Sequence, residues 1–133
     1  MLICKNCKTE LHRGQYSYCS AECQHENERA ANTKRWLDTG IASISHLPNH
    51  YIRIYIRKQQ DNKCEICKNS PIWNDKDLIF ILDHIDGDSD NNSRKNLRLV
   101  CPNCDSQLST FKGRNAGNGR HFRRERYKKG QSY

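Results

Sequence analysis

Hydrophobic residues are sparse along the chain, and their spacing predicts two helices in the first half. The stretch 21–38 is mostly polar and lacks proline and glycine, so it predicts a long helix that mainly faces solvent. Ser20 is suited to be its N-cap, and Gly40 is suited to end it. A second helix is expected to open near Pro48 and to pack through one apolar stripe, formed by Tyr51, Ile52, Tyr55 and Ile56.

The second half alternates short apolar runs with polar loops. Residues 78–82 form an apolar run of strand length, and residues 97–100 alternate enough to form a second strand. The turn-rich stretch 86–95 separates them, and Pro102 is suited to open a short helix that reaches about residue 111. The order strand, loop, strand, helix predicts a small α+β unit, with Trp36 and Trp73 expected in the core.

Cysteines compensate for a shortage of apolar residues. The chain has 133 residues, of which 35% are hydrophobic, and a mean hydropathy of −1.02. No apolar run is long enough for a membrane span or a signal peptide, so we expect the reducing cytoplasm, where thiols persist as metal ligands. Four short-spaced pairs therefore predict two structural Zn²⁺ sites; the pairs are Cys4/Cys7, Cys19/Cys23, Cys64/Cys67 and Cys101/Cys104.

Positive charge is concentrated at the end of the chain. The formal net charge is +8, and residues 112–133 carry eight basic side chains against one acid, Glu125. A cationic segment of this kind is typical of proteins that bind a polyanion such as nucleic acid. Composition alone also allows a solubilising terminus, and the two interpretations stay open.

The segment between the last two cysteine pairs carries several motifs in a fixed order. Asp83-His84 ends a predicted strand, Asn91-Asn92 lies in the following loop, and Asn96-Leu-Arg-Leu precedes Cys101-Pro-Asn-Cys104. Phe111-Lys-Gly-Arg-Asn follows. Over about residues 61–115 this order resembles the HNH endonuclease family in its phage and free-standing homing form.

The resemblance implies a domain organisation. We expect an N-terminal four-cysteine, treble-clef-like zinc finger with its helix at 1–38, and a linker with a helix at 39–60. A zinc-stabilised ββα-metal catalytic domain, also treble-clef-like, is expected at 61–115, and a basic tail at 116–133. The implied function is a DNA endonuclease, either nicking or double-strand cleaving, that works on double-stranded DNA in the cytoplasm of a bacterial host.

The resemblance also implies roles for three residues. Asp83 would bind one catalytic divalent ion, His84 would be the general base, and Asn96 would brace the loop and position His84. The chemistry agrees, because a histidine titrates near neutral pH and hydrolysis of a phosphodiester needs an activated water. Since neighbouring residues of a regular strand face opposite sides, the strand must end or bulge at this pair.

Asp105 departs from the family pattern, which has histidine or asparagine just after the last zinc cysteine. A carboxylate there suits Mg²⁺ or Mn²⁺, so we expect Asp105 to be the second ligand of the catalytic ion. The alternative is an acidic residue that only favours the helix start. A separate alternative for the function is a non-catalytic zinc protein that binds DNA on a degenerate HNH scaffold and has lost cleavage through Asp105.

Other charged residues are assigned by simpler rules. Asp86, Asp88 and Asp90 resemble part of a calcium loop, but Leu97 stands where the loop's last Glu belongs, so we expect solvated turn acids. The protein is expected to be a monomer or homodimer. DNA contacts are expected from seven basic residues: Arg53, Arg57, Lys112, Arg114, Arg120, Arg123 and Arg124.

Overall fold

The computed structural model describes residues 1–45 and 47–115 and shows a small α+β protein. Among these residues, no helix is both long and apolar enough to cross a membrane. The basic tail, with Arg120, Arg123 and Arg124, lies outside the described residues, as does His46. The helices are α1 (Ala21–Thr39), α2 (Tyr51–Gln59) and α3 (Pro102–Ser106), and the strands are β1 (Ile72–Trp73), β2 (Lys76–Asp77), β3 (Ile81–His84) and β4 (Leu97–Val100).

Helix α1 confirms the predicted polar helix at both ends. The Ser20 hydroxyl accepts from the Cys23 N–H at 3.2 Å, and Gly40 ends the helix in the left-handed conformation at φ 69°. Gly40 also donates its N–H to the Trp36 carbonyl at 2.7 Å. Every residue of α1 is described, and within it only Trp36 is buried. The helix is therefore joined to the protein's core through a single indole.

Helix α2 begins three residues later than predicted. His50, not a residue beside Pro48, is the N-cap, because its Nδ1 accepts from the Ile52 N–H at 3.3 Å. Pro48 lies in the turn before the helix. The predicted apolar stripe is confirmed, with Ile52 and Ile56 fully buried.

The strands form two separate antiparallel hairpins. β4 lies where the sequence predicts it, whereas β3 begins three residues after the start of the apolar run. Before that point the Phe80 carbonyl accepts from the Arg53 guanidinium at 2.9 Å, and the Leu78 N–H donates to the Pro71 carbonyl at 2.8 Å, so these groups bond outside the β3–β4 pairing. In the observed register Asp83 faces Arg98 and His84 faces Leu97.

The hairpin β1–β2 was not predicted. Its turn residues, Asn74 and Asp75, both have positive φ (51° and 59°), which is the conformation of a tight two-residue hairpin turn. Trp73 is 59% exposed on this hairpin, so its expected place in the core is wrong.

One core unites α1, α2 and the hairpin β3–β4. α3 ends at Ser106, earlier than the predicted residue 111, and a short 3₁₀ turn follows at 112–115. Two cysteines of the second set take part in this core, so residues predicted to bind metal are also buried. The core residues are Trp36, Ile52, Ile56, Cys64, Phe80, Leu97, Leu99, Val100 and Cys101.

Candidate active site and metal clusters

Two groups of four cysteines have the geometry of zinc sites. In each group the four sulfur atoms all lie within 4.8 Å of one another. Sγ of Cys7 lies 3.5 Å from that of Cys19, and Sγ of Cys67 lies 3.8 Å from that of Cys101. Zn–S bonds of about 2.3 Å in a tetrahedron imply an S···S distance of about 3.8 Å. Both groups could therefore hold Zn²⁺, as the cysteine spacing predicts.

The two clusters start with the same local structure. Lys8 and Lys68, each just after the second cysteine, have positive φ (67° and 62°). Their N–H groups donate to the carbonyls of Cys4 and Cys64 at 3.1 and 3.0 Å. In each cluster the tight turn points backbone N–H groups at the sulfur of the first cysteine. These N–H groups favour the thiolate form of that sulfur.

The pKa values of these first cysteines reflect N–H groups from that turn and from the third cysteine of each cluster. Burial opposes ionisation of Cys64, but backbone N–H groups, led by that of Cys101, lower its pKa to about 6. Cys4 follows the same pattern: desolvation is outweighed by backbone N–H groups, led by that of Cys19, and its pKa is also about 6. A thiolate at neutral pH is the form that binds a metal ion.

Asp83 lies at the end of β3 in an ion pair. It is 8% exposed, and its Oδ2 accepts from Nε of Arg98 at 2.8 Å, directly across the hairpin. Oδ1 of Asp83 has no partner among the described residues. A buried carboxylate needs a compensating charge, which Arg98 supplies through Oδ2 while leaving Oδ1 available.

Asp105 stands at the start of α3, close enough to Asp83 for the charge of Asp83 to change the pKa of Asp105. Burial raises the pKa of Asp105, the negative charge of Asp83 raises it further, and Lys112 lowers it. Two neighbouring, partly desolvated carboxylates form a donor set that suits a hard cation. Among the described residues, groups of three or more metal-ligating side chains occur only at the cysteines, so a cation here would rest on two carboxylates.

The His84 ring is held through one nitrogen. Its Nε2 lies 2.8 Å from Oδ1 of Asn92, whose Nδ2 donates to the Ala42 carbonyl at 3.1 Å. A carbonyl only accepts, so the Asn92 amide must turn its NH₂ toward Ala42 and its oxygen toward His84. Nε2 of a neutral His84 therefore carries the proton, and Nδ1 keeps its lone pair with no partner among the described residues.

Asn96 braces the loop after β3. It is buried, donates to Oδ1 of Asp86 and to the Asn91 carbonyl at 2.8 Å each, and accepts from the Asp86 N–H at 3.0 Å. The Asn91 side chain and then the Asp88 N–H hold the pKa of Asp86 below its usual range. Asp86 is exposed, as expected of a turn acid, and it also anchors the loop through these hydrogen bonds.

Comparison with known proteins gives one relative that bears on this geometry. The chain is 30% identical over 119 residues to the H-N-H endonuclease F-TflIV of Escherichia phage T5. The resemblance to the HNH endonuclease family is confirmed. The aligned region is 88% of this chain and 51% of the relative, so the chain spans about half the length of the curated protein it matches. No family model and no solved structure matches the chain.

Within the HNH-like region, two contacts were missed by sequence reasoning. Asn92 contacts the His84 ring directly, whereas the side chain of Asn96 braces the loop, as expected, through hydrogen bonds to Asp86 and Asn91. Arg98 lies opposite Asp83, a contact that could have been predicted from the register of the two strands. The Asn91-Asn92 pair is part of the HNH motif, but the motif does not tell which of its three asparagines reaches the ring.

The seven basic residues expected to bind DNA differ in their surroundings. Arg53 is buried, with its guanidinium donating to the carbonyls of Ser45 and Phe80 at 3.2 and 2.9 Å, so it supports the fold instead of facing DNA. Arg57 donates to the Pro48 carbonyl at 2.8 Å. Lys112 and Arg114 are exposed beside the Phe111 ring, on the segment that follows α3. Arg120, Arg123 and Arg124 lie outside the described residues.

Proposed function

We propose that this chain is an HNH-type DNA endonuclease that hydrolyses phosphodiester bonds with one divalent ion. The observation that carries the proposal is the His84 ring, fixed through Nε2 with Nδ1 open, next in sequence to a buried carboxylate. The name of the phage relative supports the same activity.

His84 is the proposed general base. A neutral imidazole with a free Nδ1 takes a proton from water. The hydrogen bond between Nε2 and Asn92 fixes the ring during this transfer, and it strengthens when the ring becomes an imidazolium. Asn92 is therefore proposed as the positioning residue for the base.

Asp83 and Asp105 are proposed to hold the catalytic ion, either Mg²⁺ or Mn²⁺. When bound, such an ion neutralises charge on the phosphate and on the leaving oxygen. Arg98 takes only one oxygen of Asp83, so the ion pair leaves a ligand atom on the carboxylate. Burial first, and then the charge of Asp83, raise the pKa of Asp105, which fits two partly buried carboxylates that a bound cation would stabilise.

Double-stranded DNA is the proposed substrate. Lys112 lowers the pKa of Asp105, so its charge acts close to the proposed ion site, where it can contact a phosphate. Arg114 and the basic tail extend the same positive segment along the sequence. Two structural Zn²⁺ ions are proposed for the cysteine clusters, and the protein is proposed to act as a monomer or homodimer.

Plasmid cleavage tests the proposal. Zinc-loaded protein is incubated with supercoiled plasmid and Mg²⁺ or Mn²⁺, and wild type is compared with His84→Ala and with His25→Ala, a matched loss of an exposed histidine on α1. Loss of a general base costs about 10²–10⁴-fold in rate. We expect this loss for His84→Ala, with DNA affinity unchanged within a few fold, and no loss for His25→Ala.

Two outcomes contradict the proposal. If His84→Ala cleaves at the wild-type rate, His84 is not the base. If the wild type binds DNA tightly and never cleaves it with either ion, the non-catalytic DNA-binding alternative replaces the endonuclease.

A further inference from the structure

The residue that holds His84 is itself held by the N-terminal half of the chain. The indole Nε1 of Trp36, in α1, donates to the backbone carbonyl of Asn92 at 2.6 Å. The side-chain NH₂ of Asn92 donates to the carbonyl of Ala42, three residues past the end of α1. These contacts join residues that are 56 and 50 positions apart in sequence. Both the backbone and the side chain of Asn92 therefore depend on a distant segment.

Both anchors are rigidly seated. Trp36 is fully buried, and the Tyr55 ring meets it edge-on with 5.6 Å between ring centroids. Gly40 lies against Ser93, where an added Cβ would be 3.5 Å from the Ser93 Cβ. The end of α1 therefore packs directly on the loop that carries Asn92.

The Ala42 carbonyl has a chemical effect on the ring. Without it the Asn92 amide can turn over and present NH₂ to Nε2 of His84. Nε2 would then have to accept, its lone pair would be occupied, and the proton would move to Nδ1. The nitrogen left to act as base would be lost, although every side chain of the HNH motif would still be present.

We propose that the N-terminal half completes the active site: Trp36 and the Ala42 carbonyl position Asn92, which sets the orientation and tautomer of His84. The inference rests on the proposed nuclease function. It gives α1 and the segment after it a task at the reacting centre, in addition to any contact that the first cysteine cluster makes with DNA. Trp36 and Asn92 are positioning residues, since they act through His84.

A pair of conservative substitutions tests the role of Trp36. Trp36→Phe removes the N–H but keeps an aromatic ring in the core, and Tyr55→Phe keeps the ring packed on Trp36 while removing a hydroxyl that contacts Gln59 instead. For Trp36→Phe we expect kcat to fall on the order of tenfold or more with KM and DNA affinity within about twofold, because the lost contact acts on the base. Tyr55→Phe is expected to match wild type.

A double substitution separates this role from general support of the fold. If Trp36 acts through Asn92, the variant Trp36→Phe/Asn92→Ala loses no more kcat than Asn92→Ala alone. Losses that multiply would overturn the proposal. So would a Trp36→Phe protein that keeps wild-type kcat, or one that loses DNA affinity and kcat in equal measure.

A measurement independent of cleavage is the His84 tautomer. Long-range ¹H–¹⁵N spectra of zinc-loaded protein with labelled histidines, assigned with His84→Gln, report which ring nitrogen carries the proton at pH 8. We expect Nε2–H in wild type and Tyr55→Phe, and a growing share of Nδ1–H in Trp36→Phe. Wild type with Nδ1–H overturns the proposal even if Trp36→Phe does not fold. A wild type that shows Nε2–H but cleaves no DNA overturns the nuclease function and not the positioning.

Discussion

The two cysteine clusters begin with the same turn and then diverge. Each opens with Cys-x-x-Cys-Lys and a lysine in the left-handed conformation. The first cluster closes at Cys23, in the first turn of α1, whereas the second closes at Cys104 and encloses both hairpins. Cys64 and Cys101 belong to the core, and Cys4, although buried, does not. One local turn can thus serve either a peripheral module or a clamp around the candidate active site.

The largest expected effect comes from breaking one cluster at a time. Cys101→Ser removes a ligand that is also a core residue, so we expect loss of folding over residues 61–115 and no measurable cleavage. Cys4→Ser should unfold the first cluster while the second stays folded. Zinc content and amide hydrogen exchange of each variant measure this difference.

The comparison fails if the clusters depend on each other. Cys4→Ser protein with one Zn²⁺ per chain and protected amides in β3 and β4 supports two separate units. If Cys4→Ser also releases the second Zn²⁺, the clusters form one cooperative unit and the contrast between module and clamp is wrong.

A smaller effect tests what the clusters share. Lysine in the left-handed conformation is strained, and glycine adopts it freely, at the cost of a more flexible unfolded chain. We expect Lys8→Gly and Lys68→Gly each to stabilise its cluster by up to about 1 kcal/mol. The exposed pair between Lys68 and Glu65, with 3.7 Å between N and O, adds little at the second site.

Thermal unfolding at saturating Zn²⁺ measures these two variants, with Lys63→Gly as a control whose φ is not positive. If one substitution raises the stability and the other lowers it, the two turns have the same shape but respond differently in stability to the loss of the lysine side chain.

The smallest effect concerns the helix between the clusters. Burial, and then the charge of Arg53, lower the pKa of His50 below its usual 6.5, although a hydrogen bond with the Ser43 backbone acts in the opposite direction. Folding thus favours the neutral ring that caps α2, so this stability is full above pH 6.5 and declines as the pH falls toward the lower folded pKa. His50→Asn keeps a capping side chain that does not titrate.

Urea unfolding at pH 7.5 and 5.5 measures the effect of His50. The loss of stability between the two values should be smaller for His50→Asn than for wild type. An equal loss would mean that His50 does not contribute to the acid sensitivity of the region between the clusters.

Local rules predicted the elements that depend on local contacts. Ser20 and Gly40 fixed the ends of α1, and alternation fixed β4. The start of β3 could not be predicted, because the residues before it bond outside the hairpin, among them Phe80, whose carbonyl accepts from Arg53 27 positions away.

The candidate site shows the same limit. The motif named Asp83, His84 and Asn96, but the atom that contacts His84 belongs to Asn92, whose own anchors lie in α1 and just after it. Nothing in the spacing of the motif contains that information. Arg53 was expected to contact DNA but is buried, for a related reason. The sequence does not show whether a basic residue beside an apolar stripe is buried or exposed.

Helix α1 also sets a length. Its 19 residues, at about 1.5 Å each, span about 28 Å between the first cysteine cluster and the loop that carries Asn92. Along duplex DNA that distance corresponds to about eight base pairs. With its polar surface and its one buried indole, the helix has the form of a spacer. In the proposed nuclease, a first cysteine cluster bound to DNA would place the cleaved bond at a fixed offset, set by the number of helical turns.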